Sequence, residues 1–565
     1  MAGNILTPVA LWRNFTIDTV PQAEVLDTKK QNGLIYTNLR LQGKATKQGN
    51  VEIFATLVKS SKIATSPAIL LFRELNSNAD QGLISALAKQ GYTILDVDLG
   101  GFSEGKENYT KYPSGIEYAN YELSKDSLLS VEGDATQTCW YEWALVGKYA
   151  LKYLSSLNEV TTIGGMAIGQ ACTVLYMLAG TEERLDCSVY ALNAGWLGYK
   201  GIYKFAGKVE PQFSDNMYKY IAGVDPQSYA PHINKPVLLL SATNSTEYDC
   251  DRAYDTISRI DEKVFSTIHY SVGYRDRVSG DAFNDCEIFF DKFLNAKSNR
   301  ALYLPQDIGI KCELVDKKLQ LEVSVDEKDL TEVAIFSAEQ ITKPHLRTWI
   351  KDTRGTRKSK GVYLFDYEPY HNSGVAMFFA VAKYKSGFKI GSNIISKRFE
   401  QNEVAFSYKS NILFSSRNQD AKSVFTAEKQ SIQNDAHINL SDESRVKIKK
   451  GPMGIEGITC EWGLITFKMS ALRDMPNENA ILMFDVYAKE DSEITVKLIQ
   501  DYFGEKIEYV TSVSVYGGEV WHNVKLERAK FKTIEGRPLK SYEKINALSI
   551  SSDKKNYIVN NALWV

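Results

Sequence analysis

The chain has 565 residues, of which 44% are hydrophobic and 24% are charged, and its formal net charge is −2. A chain of this length can form three or four domains, each with its own hydrophobic core. The balanced charge provides no positive field for nucleic acid, and no apolar run approaches the roughly 18 residues that cross a bilayer. We therefore expect no nucleic-acid partner and no membrane segment.

The N-terminus and the cysteines bear on the cellular compartment. Residues 1–8 lack the basic stretch and apolar core of a signal peptide, which predicts a cytoplasmic protein. Seven cysteines are scattered along the chain, and an odd number fits reduced thiols better than a disulfide framework. The sequence has no C-x-x-C pair and no histidine cluster, so we predict no metal and no cofactor.

Residues 1–60 have strand character. Gly33–Leu41 and Val51–Leu57 alternate apolar and polar residues with period two, which is typical of half-buried strands. We predict that this stretch forms the β edge of the domain that follows.

Residues 61–298 alternate strands with helices. The predicted strands cover 67–72, 91–98, 160–163, 187–192, 235–241 and 266–270, and the predicted helices cover 81–89, 140–157, 170–178 and 251–260. This alternation predicts βαβ units and an α/β fold with a doubly wound, mostly parallel sheet.

The run from Val160 to Cys172 combines a β-branched strand, a glycine-rich turn and the start of a helix. This is the setting of the nucleophile elbow G-x-S-x-G, in which a serine lies on a sharp strand-to-helix turn. The matching five residues are Gly165, Met166, Ala167, Ile168 and Gly169. The sequence therefore predicts that Ala167 stands where the serine nucleophile belongs.

The domain resembles the α/β-hydrolases of the dienelactone hydrolase and acetyl xylan esterase type. The segments that carry the resemblance are 91–92, 98–100, 109–113, 140–144, the elbow, 193–196 and 240–244. The resemblance implies a catalytic triad of an elbow serine, an aspartate after a late strand and a histidine after the last strand. It also implies a second glycine at the position of Gln170, whose side chain we expect to crowd the old oxyanion hole.

The other two triad positions are also altered. The resemblance implies an aspartate directly after Asn244, but Ser245 stands there, and it implies a histidine within 271–275, where we assign the position to Tyr274. The histidines within 60–298 are His232, expected in a solvated loop, and His269, expected to be packed or paired in a strand. A serine nucleophile needs a base, and the base needs an orienting acid. Three replacements together predict a pseudoenzyme.

Beyond residue 298 the pattern becomes all-β. Short strands separated by Gly, Asn and Asp turns in 299–404 predict an immunoglobulin-like sandwich. Residues 405–565 resemble the jelly-roll, galactose-binding-like modules that bind carbohydrate, which implies sugar stacking on aromatic rings. Of two tryptophans there, we expect Trp564 in the core and leave Trp521 open between core and surface.

Three functions follow from these observations. The first is a catalytically inactive hydrolase-like protein with a binding, structural or assembly role, in which the elbow residues 165–170 line the old pocket. The second is an active esterase that uses a non-standard site, with Ser241 or Ser245 beside His269, or Tyr274 beside Arg275. The third is a glycan-binding protein acting through the C-terminal module. The expected partners are a small molecule or a glycan, and a homo-oligomer is compatible with the sequence.

Overall fold

The computed structural model describes residues 4–207, 211–294, 302–305, 308–405, 412–415, 425–427, 438, 446–470 and 475–565. The chain divides into two compact units. The first unit comprises Met1–Asp307, Lys383–Gly391 and Ile432–Asp442, and the second comprises Ile308–Ala382, Ser392–Ser431 and Glu443–Val565. The predicted boundary between residues 404 and 405 lies inside the second unit and stays a prediction.

Helices and strands alternate over most of the first unit, and strands predominate in the second. In chain order, the α-helices of the described residues are α1 (Pro8–Trp12), α2 (Gln81–Lys89), α3 (Tyr121–Ser124), α4 (Cys139–Leu154), α5 (Cys172–Ala179), α6 (Asp215–Gly223), α7 (Pro226–Tyr229), α8 (Cys250–Ile257) and α9 (Gly280–Leu294). The strands are β1 (Ala23–Gln31), β2 (Leu34–Thr46), β3 (Gly49–Ser60), β4 (Ser66–Phe72), β5 (Thr93–Val97), β6 (Val160–Ile168), β7 (Cys187–Ala191), β8 (Val237–Ala242), β9 (Ser266–Ser271), β10 (Ile308–Val315), β11 (Lys318–Val325), β12 (Leu330–Glu339), β13 (Ile350–Asp352), β14 (Thr356–Ser359), β15 (Val362–Tyr367), β16 (Gly374–Tyr384), β17 (Lys389–Gly391), β18 (Ile395–Phe399), β19 (Thr426–Ala427), β20 (Lys447–Lys450), β21 (Glu456–Thr459), β22 (Leu464–Thr466), β23 (Ile481–Ala488), β24 (Ser492–Gln500), β25 (Ile507–Val515), β26 (His522–Glu527), β27 (Ile545–Ser552) and β28 (Tyr557–Trp564).

The first unit is built on a mixed sheet with the strand order β1-β2-β3-β5-β4-β6-β7-β8-β9, followed by β17. The strands from β5 and β4 through β9 run parallel, whereas β1, β2 and β3 form an antiparallel edge. The prediction of a mostly parallel α/β sheet is confirmed. The sequence pattern does not predict β1, because all nine of its residues are exposed and it lacks a buried face.

The parallel strands form because they are apolar on both faces. Every residue of β5, β7 and β8 is buried, as expected for strands covered by helices on both sides. The helices begin at polar caps: the Asp80 side chain accepts the N–H of Leu83 in α2, and Thr138 accepts the N–H of Tyr141 in α4. Helix α2 has its predicted bounds, and α4 ends at Leu154, three residues before the predicted end.

The second unit is all-β. It contains a sheet β10-β11-β15-β14, a group in which β12 pairs with β13 and β16 pairs with β18, and two five-stranded sheets ordered β19-β22-β27-β24-β25 and β20-β21-β28-β23-β26. The two five-stranded sheets share one core, in which Phe484 of β23 and Val496 of β24 are both fully buried. Trp564 lies in this core, as predicted. Among the described residues, no helix is both long and apolar enough to cross a membrane.

Candidate functional site

The strand order of the first unit places the candidate site. Strand β4 lies between β5 and β6 in the sheet. The connection from β4 therefore leads to β5 on one side, and the connection from β5 leads to β6 on the other side of β4. Ligands of open α/β sheets bind beyond the carboxyl ends of the strands at such a switch point. The two segments that leave this point are the one from Arg73 to Asp80, after β4, and the turn from Gly169 to Ala171, after β6.

The turn after β6 lies two residues later than the sequence predicted. Ala167 is part of β6, where it pairs with Phe72 on one side and Tyr190 on the other, and its side chain is fully buried. Gly169 follows the strand with φ of +56° and opens a 3-10 turn that leads into α5. The assignment of the nucleophile position to Ala167 is therefore corrected to Gly169.

The correction has a physical reason. The apolar residues Met166 and Ile168 are buried and continue the strand through the predicted turn. A sharp turn with positive φ is adopted at little cost by glycine, and Gly169 supplies it. The sequence contains two overlapping windows with small residues at both ends, and the structure uses the one from Ala167 to Ala171.

The carboxylate of Glu74 occupies the space beside Gly169. The N–H of Gln170 lies 3.1 Å from both Oε1 and Oε2 of Glu74, and the N–H of Leu75 lies 3.0 Å from Oε1. A Cβ placed on Gly169 would lie 1.5 Å from Oε2 of Glu74. In an α/β-hydrolase, the N–H after the nucleophile and an N–H from a strand-to-helix loop, the counterpart here of the loop between β4 and α2, form the oxyanion hole. Gln170 and Leu75 hold these two positions, and both donate to a carboxylate of the same chain.

The expectation for Gln170 is thereby corrected. Its peptide N–H is one of the two donors, and the side chain that fills the space beside the turn is that of Glu74 rather than that of Gln170. The Oε1 atom of Gln170 is buried and has no hydrogen-bond partner. Glu74 was not predicted as a site residue, because a side chain that bonds a distant peptide N–H has no sequence signature.

Both donor peptides are held in place. The Glu74 carbonyl, which shares a peptide plane with the Leu75 N–H, accepts bonds from the N–H and hydroxyl of Ser77 at 3.1 and 3.0 Å. The Gly169 carbonyl, in the plane of the Gln170 N–H, accepts the N–H of Cys172. The donors are thus oriented before any ligand arrives, which is the property that makes such a pair effective.

A buried ion pair supports the segment after β4. Lys106 Nζ donates to Asp98 Oδ1 and to the Leu75 carbonyl, both at 2.6 Å. Gly100 makes this approach possible, because a Cβ there would lie 2.2 Å from the Leu75 carbonyl oxygen. Lys106 therefore fixes the carbonyl group of Leu75.

Two tyrosines lie near the Glu74 carboxylate. Tyr248 Oη donates to Glu74 Oε2 at 3.5 Å. Burial, and then the negative charge of Glu74, raise the pKa of Tyr248 well above its ordinary value, and the same two causes raise the pKa of Tyr121. Both phenols remain protonated at neutral pH and can donate hydrogen bonds.

The structure brings together the loops that carry Ser245 and Tyr274. Asn244 N donates to the Tyr274 carbonyl at 2.9 Å, and Gly273 N donates to Thr243 Oγ1 at 2.9 Å. The Ser245 hydroxyl accepts the N–H groups of Glu247 and Tyr248 at 3.2 Å each. Ser245 thus stabilises its own loop, and this loop places the Tyr248 hydroxyl near Glu74.

His269 belongs to a separate buried group. Its Nδ1 lies 2.6 Å from Asp285 Oδ2, and its Nε2 lies 3.5 Å from Ser279 Oγ. Burial raises the pKa of Asp285, while the hydrogen bond to His269 acts in the opposite direction. The expectation that His269 is packed or paired in a strand agrees with this geometry. These bonds form a Ser–His–Asp chain with Ser279, rather than with the Ser241 or Ser245 that the sequence suggested.

Among the described residues of the first unit, one group of side chains has the types and spacing that could bind a metal ion. Asp249, Cys250 and Asp251 place one ligand atom each within 4.8 Å of one another. Asp249 caps α8 by accepting the N–H of Asp251, and Cys250 Sγ donates to the Thr243 carbonyl at 3.2 Å. These side chains already hold the start of the helix in place.

The second unit carries a polar and aromatic row on the face of β23 that points away from the core. Tyr487 and Trp521, which directly precedes β26, have ring centroids 6.0 Å apart. Two residues back along β23, Asp485 accepts the side-chain amides of Asn523 at 2.9 Å and Asn561 at 3.1 Å. Because alternate residues of a strand share a face, the aromatic pair and the amide–carboxylate group are neighbours.

No protein-family model matches the sequence, and no curated protein matches it. Among solved structures, an acetyl xylan esterase from Paenibacillus sp. R4 is similar with 13% identity and a TM-score of 0.38, covering 51% of this chain and 92% of that chain. A cold-adapted esterase from an Arctic intertidal metagenomic library is similar with 10% identity and a TM-score of 0.34, covering 48% and 98%. A putative dienelactone hydrolase from Klebsiella pneumoniae is similar with 12% identity and a TM-score of 0.30, covering 45% and 90%. The strand order of the first unit and its strand–turn–helix at Gly169 independently show an open, mostly parallel α/β sheet.

Proposed function

We propose that this chain is an α/β-hydrolase-like protein that works by binding or assembly and not by ester hydrolysis. The observation that carries the proposal is Gly169 at the apex of the strand-to-helix turn. A glycine has no side chain that could attack a carbonyl, and nucleophilic catalysis at this place requires one. Ser245 and Tyr274, at the two other triad positions, supply neither a carboxylate nor an imidazole.

The rest of the chain fits a binding role. We assign the β10–β18 region to an immunoglobulin-like sandwich and the β19–β28 region to a jelly roll of the galactose-binding type. The partner is a small molecule, a glycan or a second copy of the chain. A cytoplasmic location is part of the proposal and is supported by seven cysteines that are all free thiols.

The test is labelling of the full chain with a fluorophosphonate probe, alongside turnover of p-nitrophenyl acetate. We expect both to equal those of the heat-denatured protein. Saturable turnover would overturn the proposal, and so would a probe adduct on a serine.

The position of such an adduct would identify the chemistry. An adduct on Ser279 that is lost in Ser279→Ala would show that the Ser279–His269–Asp285 chain is a working nucleophile, base and acid. Ser241→Ala is the matched control, because Ser241 is a buried serine of the neighbouring strand β8.

A second candidate function is glycan binding through the outer face of β23. It is favoured by the placement of the Tyr487–Trp521 pair beside the Asp485, Asn523 and Asn561 group. Aromatic rings stack on the apolar faces of sugars, while amides and carboxylates bond the hydroxyls. A glycan array probed with the full chain and with Trp521→Ala tests it, and an array without a Trp521-dependent signal would overturn it.

A further inference from the structure

We propose that the N–H groups of Leu75 and Gln170 form a carboxylate-binding site whose resident ligand is the side chain of Glu74, and that a free monocarboxylate takes this place when Glu74 leaves it. The inference rests on the proposed function, because it names a ligand class for the same site in the absence of catalysis.

The two N–H groups and the two carboxylate oxygens match as donors and acceptors. Three N–H···O contacts of 3.0 to 3.1 Å reach the Glu74 carboxylate from two peptide groups, and both of its oxygens take part. Hydrogen bonds to an ionised acceptor are about twice as strong as those between neutral groups. Oε1 accepts from both N–H groups and Oε2 lies within reach of one of them, so an ionised carboxylate gains the stronger charge-assisted bonds, which a neutral ester carbonyl does not.

The N–H groups of Leu75 and Gln170 do not depend on Glu74 for their orientation. The Leu75 peptide is held by Ser77 and Lys106, and the Gln170 peptide is held through the bond from Cys172 to Gly169. Removal of the Glu74 side chain leaves these bonds intact. The vacated N–H groups then bond water or a new acceptor, and an ionised acceptor gives the stronger hydrogen bonds.

The volume beside the two N–H groups can hold a small ligand in place of the Glu74 carboxylate. Glu74 is half-buried, so the residue lies at the boundary between the core and solvent. Gly169 leaves the volume beside the donors free of side chain, since any Cβ there would overlap Glu74 Oε2 at 1.5 Å. A small carboxylate such as acetate can therefore fill the place that Glu74 leaves.

In the wild-type protein the Glu74 carboxylate competes with small anions for the two N–H groups. A carboxylate tethered to the same chain has a high effective concentration at the donors, and linkage of this kind raises the apparent affinity by about 100-fold or more. Free acetate competes poorly with it. A natural ligand must therefore carry its carboxylate on a larger molecule, whose further contacts displace Glu74.

The experiment compares wild type, Glu74→Ala and Glu122→Ala in the full chain. Thermal unfolding is followed against sodium acetate, with sodium chloride at equal ionic strength and acetamide as neutral analogue. We expect acetate to raise the Tm of Glu74→Ala in a saturable way, with a half-maximal concentration at least about 100-fold below that of the wild type. Glu122→Ala removes a half-exposed carboxylate of α3 that pairs with Lys125, and it should respond like wild type.

A folded Glu74→Ala protein whose Tm does not respond to acetate beyond chloride would overturn the site. If Glu74→Ala fails to fold, Glu74→Gln takes its place, because its neutral amide still accepts an N–H but holds it less tightly. Acetate should then raise the Tm of Glu74→Gln at concentrations below those needed for wild type, and a response equal to wild type would overturn the site. Esterase activity in the wild type would contradict the proposed function alone, so the two failures are distinguishable.

Discussion

The N–H of Gln170 lies 3.1 Å from each carboxylate oxygen of Glu74, although 96 residues separate the two in the chain. They meet because β4 and β6 are neighbours, with Phe72 opposite Ala167, and each residue follows the end of its strand. In a working hydrolase this N–H would stabilise the negative charge that develops on the substrate oxygen. In this chain that charge is already present on Glu74, and it would repel any second oxyanion.

The first prediction concerns the stability that Glu74 provides. Glu74→Ala removes charge-assisted hydrogen bonds from two peptide N–H groups, each worth about 1.5–3 kcal/mol, and water replaces part of them, so that a net loss of about 1 kcal/mol per bond remains. We expect the Tm measured in chloride buffer to fall by about 2–4 °C. Glu74→Gln should recover part of the loss, because the amide oxygen still accepts an N–H. A Tm equal to wild type in Glu74→Ala would show that the contact contributes nothing to folding.

The fold of the first unit was predictable, whereas the site was predictable only in part. Apolar runs such as β8 and capped helices such as α2 have local patterns, so the sequence revealed the alternation that determines the doubly wound sheet. The location of the turn depends on whether Ala167 or Gly169 takes a positive φ, and both windows satisfy the small-residue pattern. The meeting of Glu74 with Gln170 depends on strand neighbours, which no local pattern encodes.

The second prediction is a pH dependence caused by Asp225. Asp225 is fully buried, and its Oδ1 accepts the N–H groups of Trp196 at 3.3 Å and Gln227 at 3.1 Å. Burial raises the pKa of Asp225 from 3.8 to about 6. Because the folded protein binds this proton more tightly than the unfolded chain, the stabilisation is full below about pH 4 and is lost as the pH rises through 6.

Asp225→Asn should remove that dependence. The variant keeps the Oδ1 acceptor, and its amide nitrogen replaces Oδ2, which is buried without a hydrogen-bond partner. The rise in the pKa of Asp225 corresponds to a loss of about 3 kcal/mol in the free energy of unfolding at neutral pH. We expect the Tm of Asp225→Asn minus that of wild type to increase between pH 4 and pH 7 and then level off. Asp215→Asn, at an exposed helix start, is the control, and a difference as flat as that of the control would contradict the prediction.

The third prediction locates the glycan-binding site on the surface of the second unit. Trp521→Ala and Asp485→Ala alter the outer face of β23, so we expect either change to reduce glycan retention at least about tenfold, since each loses more than about 1.4 kcal/mol of contact. Tyr516→Ala is the matched control, because Tyr516 is 75% exposed but lies outside the row. If Tyr516→Ala reduces retention and Trp521→Ala does not, the sugar lies elsewhere.

The fourth prediction concerns restoration of a hydrolase. Gly169→Ser alone should give no fluorophosphonate adduct, for two reasons. Its Cβ would lie 1.5 Å from Glu74 Oε2, so the new side chain and the Glu74 carboxylate cannot both keep their places. A serine hydroxyl at its ordinary pKa also needs a base to accept its proton, and Tyr274 provides none.

Four changes are needed together: Glu74→Gly frees the two N–H donors, Gly169→Ser adds the nucleophile, and Ser245→Asp with Tyr274→His supplies acid and base. We expect labelling above background in the fourfold variant and background labelling in each single variant. The matched control is the same fourfold variant with Ala167→Ser in place of Gly169→Ser, because Ala167 is buried within β6 and should stay unlabelled. Labelling of the Ala167→Ser version and not of the Gly169→Ser version would return the nucleophile position to Ala167. Labelling of Gly169→Ser alone would mean that a base already faces the turn and that Glu74 does not close it.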